Sequence, residues 1–252
     1  MGLKAVLLNF SGVIIRDEAL HRQSLEELLL EENLSPTLSD YVQVCRGRTH
    51  LACLTDLWQR QGRVLTPTQQ QQLLRRQHQR YGQALARLEQ LPLYPQVGEL
   101  IERIQGAQIK IAILSGTSEQ AVAWVLNRVG LPGVDRIIGG EEASLGGSRP
   151  APDSYLLALQ RLNQAFPDLS LQARDCLAVE ASFTGITAAQ RASIPVIAVA
   201  HHYPYQIIHR RADWVIDDLG ELDLDWLQAY YNGEPLPSSL LQSNVEGASD
   251  PG

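Results

Sequence analysis

A parallel α/β sheet with helices on both faces, interrupted by an inserted all-helical lobe, is the fold that the sequence predicts. Three observations predict it. Short, nearly continuous apolar runs recur at residues 4–8, 109–114, 176–179 and 195–200, with a weaker one at 214–216. Helical patterns separate them. One long stretch, residues 17–91, carries helical patterns alone. Continuous apolar runs suit strands buried on both faces, the environment of a parallel sheet. Strand alternating with helix is the order that wraps helices over both faces.

The elements follow in chain order. Lys4-Ala5-Val6-Leu7-Leu8 reads as the first strand, with Gly12 soon after it. In the helical stretch, Leu25, Leu28 and Leu29 mark one apolar stripe. Leu51, Leu54, Leu57 and Trp58 mark a second, and Tyr81, Ala84, Leu85 and Leu88 a third. Ser35-Pro36 and Thr66-Pro67 read as helix starts, and the glutamine run at 69–72 as a solvated helix face. After the run at 109–114, residues 117–129 form a helical pattern in which Thr117 and Gln120 have capping-box spacing. Residues 152–166 place Leu156, Leu159 and Leu162 at helical spacing. The expected division is a core of residues 1–15 and 95–232, a helical cap of residues 16–94, and a mobile tail of residues 233–252, rich in Pro, Ser, Gly and Asn.

Composition narrows the function classes. The 252 residues are 44% hydrophobic and 19% charged, with a formal net charge of −7. That balance argues against capture of nucleic acid or of an anionic membrane. The apolar run after Met1 is too short for a signal sequence or a membrane span, so a cytoplasmic protein is expected. Cys45, Cys53 and Cys176 are odd in number and lack metal-ligand spacing. Cys45 and Cys53 are expected as small buried residues rather than ligands or a disulfide. His201 and His202 follow a strand but have no partners at metal-binding spacing, and are expected as loop residues. Asp217, Asp218 and Glu221 read as a surface acidic cluster. The four tryptophans read as filling core and cap–core contacts.

In open parallel sheets, ligands bind beyond the carboxyl ends of the strands. The residues there are Asn9-Phe10-Ser11-Gly12, Ser115-Gly116-Thr117-Ser118 and Glu180-Ala181-Ser182, with Ser148-Arg149-Pro150 ahead of a helix. Asn9, Ser115, Gly116, Thr117 and Arg149 are the candidate anion site. Helix-opening amides favour anions, and an arginine can grip phosphate in bidentate fashion. Small polar residues after strands also serve simply as caps and turns.

Taken together, Asn9-Phe10-Ser11-Gly12-Val13-Ile14, Leu114-Ser115-Gly116, Ser148-Arg149-Pro150-Ala151-Pro152-Asp153 and Val179-Glu180-Ala181-Ser182-Phe183-Thr184-Gly185 resemble the four motifs of the haloacid dehalogenase superfamily. The resemblance is to its helical-cap branch, which includes β-phosphoglucomutases and phosphoglycolate phosphatases. It implies a Rossmann-like core and Mg²⁺-dependent phosphoryl transfer through an aspartyl-phosphate. The same alignment places Asn9 where the family has its nucleophile, Ser11 where it has its acid/base and Ala181 where it has a Mg²⁺ ligand. Glu180 alone remains of the acidic pair, and Arg149 stands for the family's lysine. No catalytic residue, metal or cofactor is therefore expected, with Mg²⁺ needed only if the chain is active. Arg46-Gly47-Arg48 resembles the family's cap substrate loop, or is a solvated basic helix start. The expected protein is a pseudoenzyme that binds a phosphorylated small molecule or a protein partner. The alternatives are an active phosphatase or phosphomutase with altered catalytic groups, and a structural subunit of a larger complex.

Overall fold

The computed structural model describes residues 2–34, 37, 39, 41–143 and 147–234. The expected helix start at Ser35-Pro36 and nearly all of the expected tail lie outside them. Strand β1 (Ala5–Asn9) leads into a tight turn, in which Ile14 N–H donates to the Phe10 carbonyl at 2.9 Å. The helical lobe follows: α1 (Glu18–Glu31), a π-helical turn (Tyr41–Cys45), α2 (His50–Arg60) and α3 (Pro67–Ala86). The chain returns with α4 (Val97–Gly106), β2 (Lys110–Leu114), α5 (Glu119–Val129), β3 (Arg136–Ile138) and the short α6 (Gly140–Ala143). Then come α7 (Asp153–Ala165), β4 (Cys176–Glu180), α8 (Phe183–Arg191), β5 (Val196–Val199), α9 (Tyr205–Ile208), β6 (Trp214–Ile216) and α10 (Leu224–Asn232).

The six strands are all parallel and lie in the order β3-β2-β1-β4-β5-β6. The order reverses direction between β1 and β4, the place where a crevice opens in such sheets. Successive residues of each strand feed opposite faces. Val6, Leu8, Ile111, Ile113, Leu177 and Val179 pack into one core, and Ala5, Leu7, Ala112, Leu114, Cys176 and Ala178 into the other. Strand β3 has no counterpart in the sequence reading. It is three residues long and two of them are half-buried, too little for a pattern to register.

The lobe has its own core of Leu25, Leu28, Leu29, Leu54, Leu57, Trp58 and Leu73. Its two connections to the sheet pair with each other: Arg16 N–H donates to the Pro92 carbonyl at 2.8 Å and Tyr94 N–H to that of Ile14 at 3.0 Å. Helix α3 begins with a complete capping box between Thr66 and Gln69.

Three expectations are corrected. Helix α5 is capped by the Ser118 hydroxyl, which accepts from Ala121 N–H, and not by Thr117. Cys45 and Cys53 form a disulfide across the lobe's loop; spacing said nothing of it because the loop between them folds back on itself. Of the tryptophans, Trp124 departs from expectation and is more than a third exposed, whereas Trp58 lies in the lobe core and Trp214 and Trp226 pack against the sheet's core.

Leu8 lies at the centre of the sheet and is 1% exposed. Leu8→Ala is expected to cost about 2–5 kcal/mol, the usual range for a buried leucine truncated to alanine. Urea unfolding should show this as a lower midpoint with an unchanged slope.

Candidate ligand site

The carboxyl ends of β1, β2 and β4 meet the lobe around one cavity, with about 70 Å³ of water-accessible space. Its lining includes Asn9, Ser11, Gly116, Thr117, Arg149 and Ser182 from the sheet side and His21, Arg46, Gly47, Arg48 and His50 from the lobe.

The floor is built around Glu180, which is fully buried at the end of β4. Its Oε1 accepts from the Tyr155 hydroxyl at 2.7 Å and pairs with Arg149 Nη1 at 3.0 Å. Its Oε2 accepts from Ala181 N–H and from the Ser182 hydroxyl, each at 3.2 Å. Burying a carboxylate is costly unless it is paired and hydrogen-bonded, and these four donors meet that demand. Burial and the neighbouring Glu180 charge push the Tyr155 hydroxyl well above its usual range, so it stays a donor. Arg149 Nη1 also donates to Asn9 Oδ1 at 2.9 Å, and Asn9 Nδ2 donates to the Ser11 carbonyl at 2.7 Å. An aspartate at position 9 would turn a second carboxylate oxygen toward that carbonyl. The carboxamide is the side chain this geometry requires.

Of the five candidate anion residues, the structure gathers Asn9, Gly116, Thr117 and Arg149 around the cavity. Ser115 stands apart: its hydroxyl accepts from Thr117 N–H at 3.1 Å, so it shapes the turn instead of facing a ligand. Three buried polar atoms of residues lining the cavity's sheet side, Arg149 Nη2, Thr117 Oγ1 and His202 Nδ1, have no hydrogen-bond partner among the described residues. Such atoms are uncommon and call for a partner from elsewhere.

The cap loop reaches this floor directly. His50 N–H donates to the Gly116 carbonyl at 3.1 Å, and the Thr184 hydroxyl donates to that of Gly47 at 3.1 Å. Thr49 N–H donates to Ser148 Oγ at 3.3 Å. A side chain at Gly116 would meet the Arg48 carbonyl oxygen at 2.5 Å. Gly47 has φ +74, and a side chain there would lie 2.6 Å from Ser182 Oγ; glycine satisfies both demands. Arg46 and Arg48 are not solvated charges. Arg46 pairs with Glu18, and Arg48 pairs with Asp56 at 2.5 Å.

Residues that sequence reasoning missed form the remaining wall. Asp17 is buried, and its Oδ2 accepts from Ser11 Oγ at 3.0 Å, His21 Nε2 at 2.9 Å and the Tyr81 hydroxyl at 2.5 Å. Burial would raise its pKa, but the His21 ring and the hydrogen bonds from His21, Tyr81 and Ser11 outweigh it and hold the carboxyl below its usual range. His21 stacks on Tyr81 with ring centroids 4.1 Å apart, and its Nδ1 lies 2.9 Å from His50 Nε2. Since the carboxylate only accepts, His21 Nε2 carries a proton. In neutral His21, Nδ1 then accepts from His50. The i, i+4 spacing of Asp17 and His21 was the one available signal. His202, expected as a loop residue, lines the cavity and approaches Glu18 at 3.6 Å, while His201 stacks on Tyr94.

The donor set does not suit Mg²⁺, which favours carboxylate and water oxygens. Positions 9, 11 and 181 offer an amide, a hydroxyl and a methyl group, and Glu180 is saturated. Among the described residues no three His, Cys, Asp or Glu side chains gather as a metal site.

A model of haloacid dehalogenase-like hydrolases matches residues 3–193. A curated relative, protein CbbY of Rhodobacter capsulatus, is 29% identical over 87% of this chain and 95% of its own length. The fold is shared with β-phosphoglucomutase of Clostridium difficile, with a TM-score of 0.77 at 18% identity over 92% of this chain and 98% of that one. It is shared also with a CbbY variant from Rhodobacter sphaeroides in complex with xylulose-(1,5)bisphosphate, with a TM-score of 0.73 at 23% identity over 87% and 96%. No described helix is long and apolar enough to cross a membrane.

Burial and the neighbouring His21 and His78 hold the His50 pKa well below the usual histidine value. The unfolded chain therefore binds a proton below about pH 6.5 that the folded protein refuses, and stability falls as pH falls. One such site gives a slope of up to about 1.4 kcal/mol per pH unit. Urea unfolding between pH 7.5 and 5 should show this loss, and His50→Gln should lessen it, the remainder coming from His201 and His202, whose pKa values burial also lowers.

Proposed function

The chain belongs to the haloacid dehalogenase-like hydrolase family, and we propose that within it this protein is a metal-independent binder of a phosphate monoester, without aspartyl-phosphate chemistry. Arg149 carries the reading. Its guanidinium bridges Asn9 and Glu180 and supplies a fixed positive charge among the residues that stand where the resemblance places nucleophile and metal. Its Nη2 is buried without a partner among the described residues, as is the hydroxyl of Thr117, which lines the same cavity. A compact anion would satisfy both. Asn9 cannot form an acyl-phosphate, since a carboxamide is a poor nucleophile. The bound sugar bisphosphate of the Rhodobacter sphaeroides structure supports a sugar phosphate as the class to test first.

A second reading rests on the Ser11, Asp17 and His21 cluster. It holds a histidine beside a cavity-lining hydroxyl, which is equipment for moving a proton. On that reading the protein is a hydrolase of the same family with altered groups.

Calorimetry in EDTA with inorganic phosphate tests the proposal. Charge-assisted hydrogen bonds contribute about 1.5–3 kcal/mol, so Arg149→Ala should weaken binding by roughly tenfold or more. Because that change leaves Glu180 buried and unpaired, Thr117→Val serves as the gentler variant, with a several-fold loss expected and the ion pair intact. No binding at millimolar phosphate would point to a scaffold role. Turnover of an aryl phosphate with Mg²⁺ at about 1 to 10³ per second, abolished in His21→Ala, would establish the hydrolase instead.

A further inference from the structure

We infer that the Cys45–Cys53 disulfide is a redox latch on this ligand site: oxidised, it holds the cap loop against the sheet, and reduced, it lets the loop go. The inference rests on the phosphate-binding reading for its ligand and on the loop geometry for its mechanism.

The two cysteines are eight positions apart, one closing the π-helical turn and the other in the first turn of α2. The segment between them is Arg46-Gly47-Arg48-Thr49-His50-Leu51-Ala52. Its contacts with the sheet domain include main-chain hydrogen bonds at Gly47, Thr49 and His50, a side-chain bond from Thr49 to Ser148 and the Arg46 guanidinium over the Tyr203 ring. The partners of the main-chain bonds are Thr184 in the first turn of α8, Ser148 ahead of α7 and Gly116 in the turn after β2. A short segment fastened at several points by single hydrogen bonds needs its own backbone fixed beforehand, because each free residue costs about 1–2 kcal/mol to order. A covalent bridge across its two ends supplies that restriction.

Position makes the bridge more than a staple. Cys45 and Cys53 both line the cavity, as do Arg46, Gly47, Arg48 and His50. The bond is thus part of the wall that a ligand touches. Cys176 takes no part: it is buried in β4 in the opposite core, and burial pushes its thiol up to about 12.

Reduction is a balanced exchange. A dithiol gives two electrons and two protons to the Sγ–Sγ bond, leaving thiols on Cys45 and Cys53, and is itself oxidised to a cyclic disulfide. If the oxidised form binds the anion more tightly, linkage requires the anion to favour the oxidised form by the same factor.

The test uses the full chain equilibrated with oxidised glutathione, and the same protein after dithiothreitol. Thiol titration under denaturing conditions should find one free thiol before reduction and three after. Calorimetry with inorganic phosphate should give an affinity about tenfold weaker after reduction. The Cys45→Ser/Cys53→Ser double variant should match the reduced protein and ignore dithiothreitol. Trypsin should cut after Arg46 and Arg48 faster in the reduced protein, at a temperature where circular dichroism shows both forms folded. Three thiols before reduction, equal affinities, or a double variant that behaves like the oxidised protein would each overturn the latch. If neither form binds phosphate, the ligand reading fails and the trypsin comparison decides: faster cleavage on reduction keeps the latch, and equal cleavage overturns it.

Discussion

A fully buried carboxylate governs the centre of this molecule. Glu180 sits at the end of a strand with hydrophobic residues on both sides, and an ion there is tolerated only if it is fully compensated. Tyr155, Ser182, the Ala181 amide and Arg149 provide that compensation, and each is fixed in place by doing so. Arg149 in turn orders Asn9, whose amide nitrogen closes the β1 turn on the Ser11 carbonyl. Three segments far apart in the chain are therefore joined by one charge. The departures from the family's motifs are mutually consistent. An arginine serves the glutamate, an asparagine serves the arginine, and the small Ala181 leaves its backbone amide to the carboxylate.

The same arrangement shapes what the cavity can do. A guanidinium is a cation of fixed position that needs no ligands of its own, so its site retains positive charge without carboxylates to hold a metal. Part of that charge is spent internally on Glu180. Nη2 and the Thr117 hydroxyl are left without a partner among the described residues. Arg46 and Arg48 are likewise tied to Glu18 and Asp56, so their contribution is to hold the loop as much as to attract an anion.

A second polar cluster sits where the lobe joins the sheet. Asp17 gathers Ser11, His21 and Tyr81, and His50 extends the chain of rings toward His78, with centroids 5.3 Å apart. His78 then pairs with Glu141 of α6 at 3.0 Å. The cluster thus crosses from the hinge through the lobe and back to the core. This seam is both polar and apolar, since Tyr81 and Leu85 of α3 also pack into the hydrophobic core of the sheet domain.

The order of strands and helices was legible in the sequence because a strand buried on both faces must be apolar throughout, and a helix packed on one face must repeat its apolar residues every three to four positions. Residues 4–8, 109–114 and 176–179 carry the first signal, and Leu25, Leu28 and Leu29 the second. The replacement of three acidic positions by Asn9, Ser11 and Ala181 was legible too, since it is a matter of residue identity. Contact geometry was not. That Ser115 turns to its own helix and leaves Thr117 to the cavity depends on two dihedral angles. The meeting of Asp17, His21, His50 and Tyr81 depends on how three lobe helices pack. The Cys45–Cys53 bond depends on a loop reversing direction, which residue spacing does not encode. Burial patterns are local and repeat along the chain, whereas hydrogen bonds and disulfides join atoms whose separation only the packed structure decides.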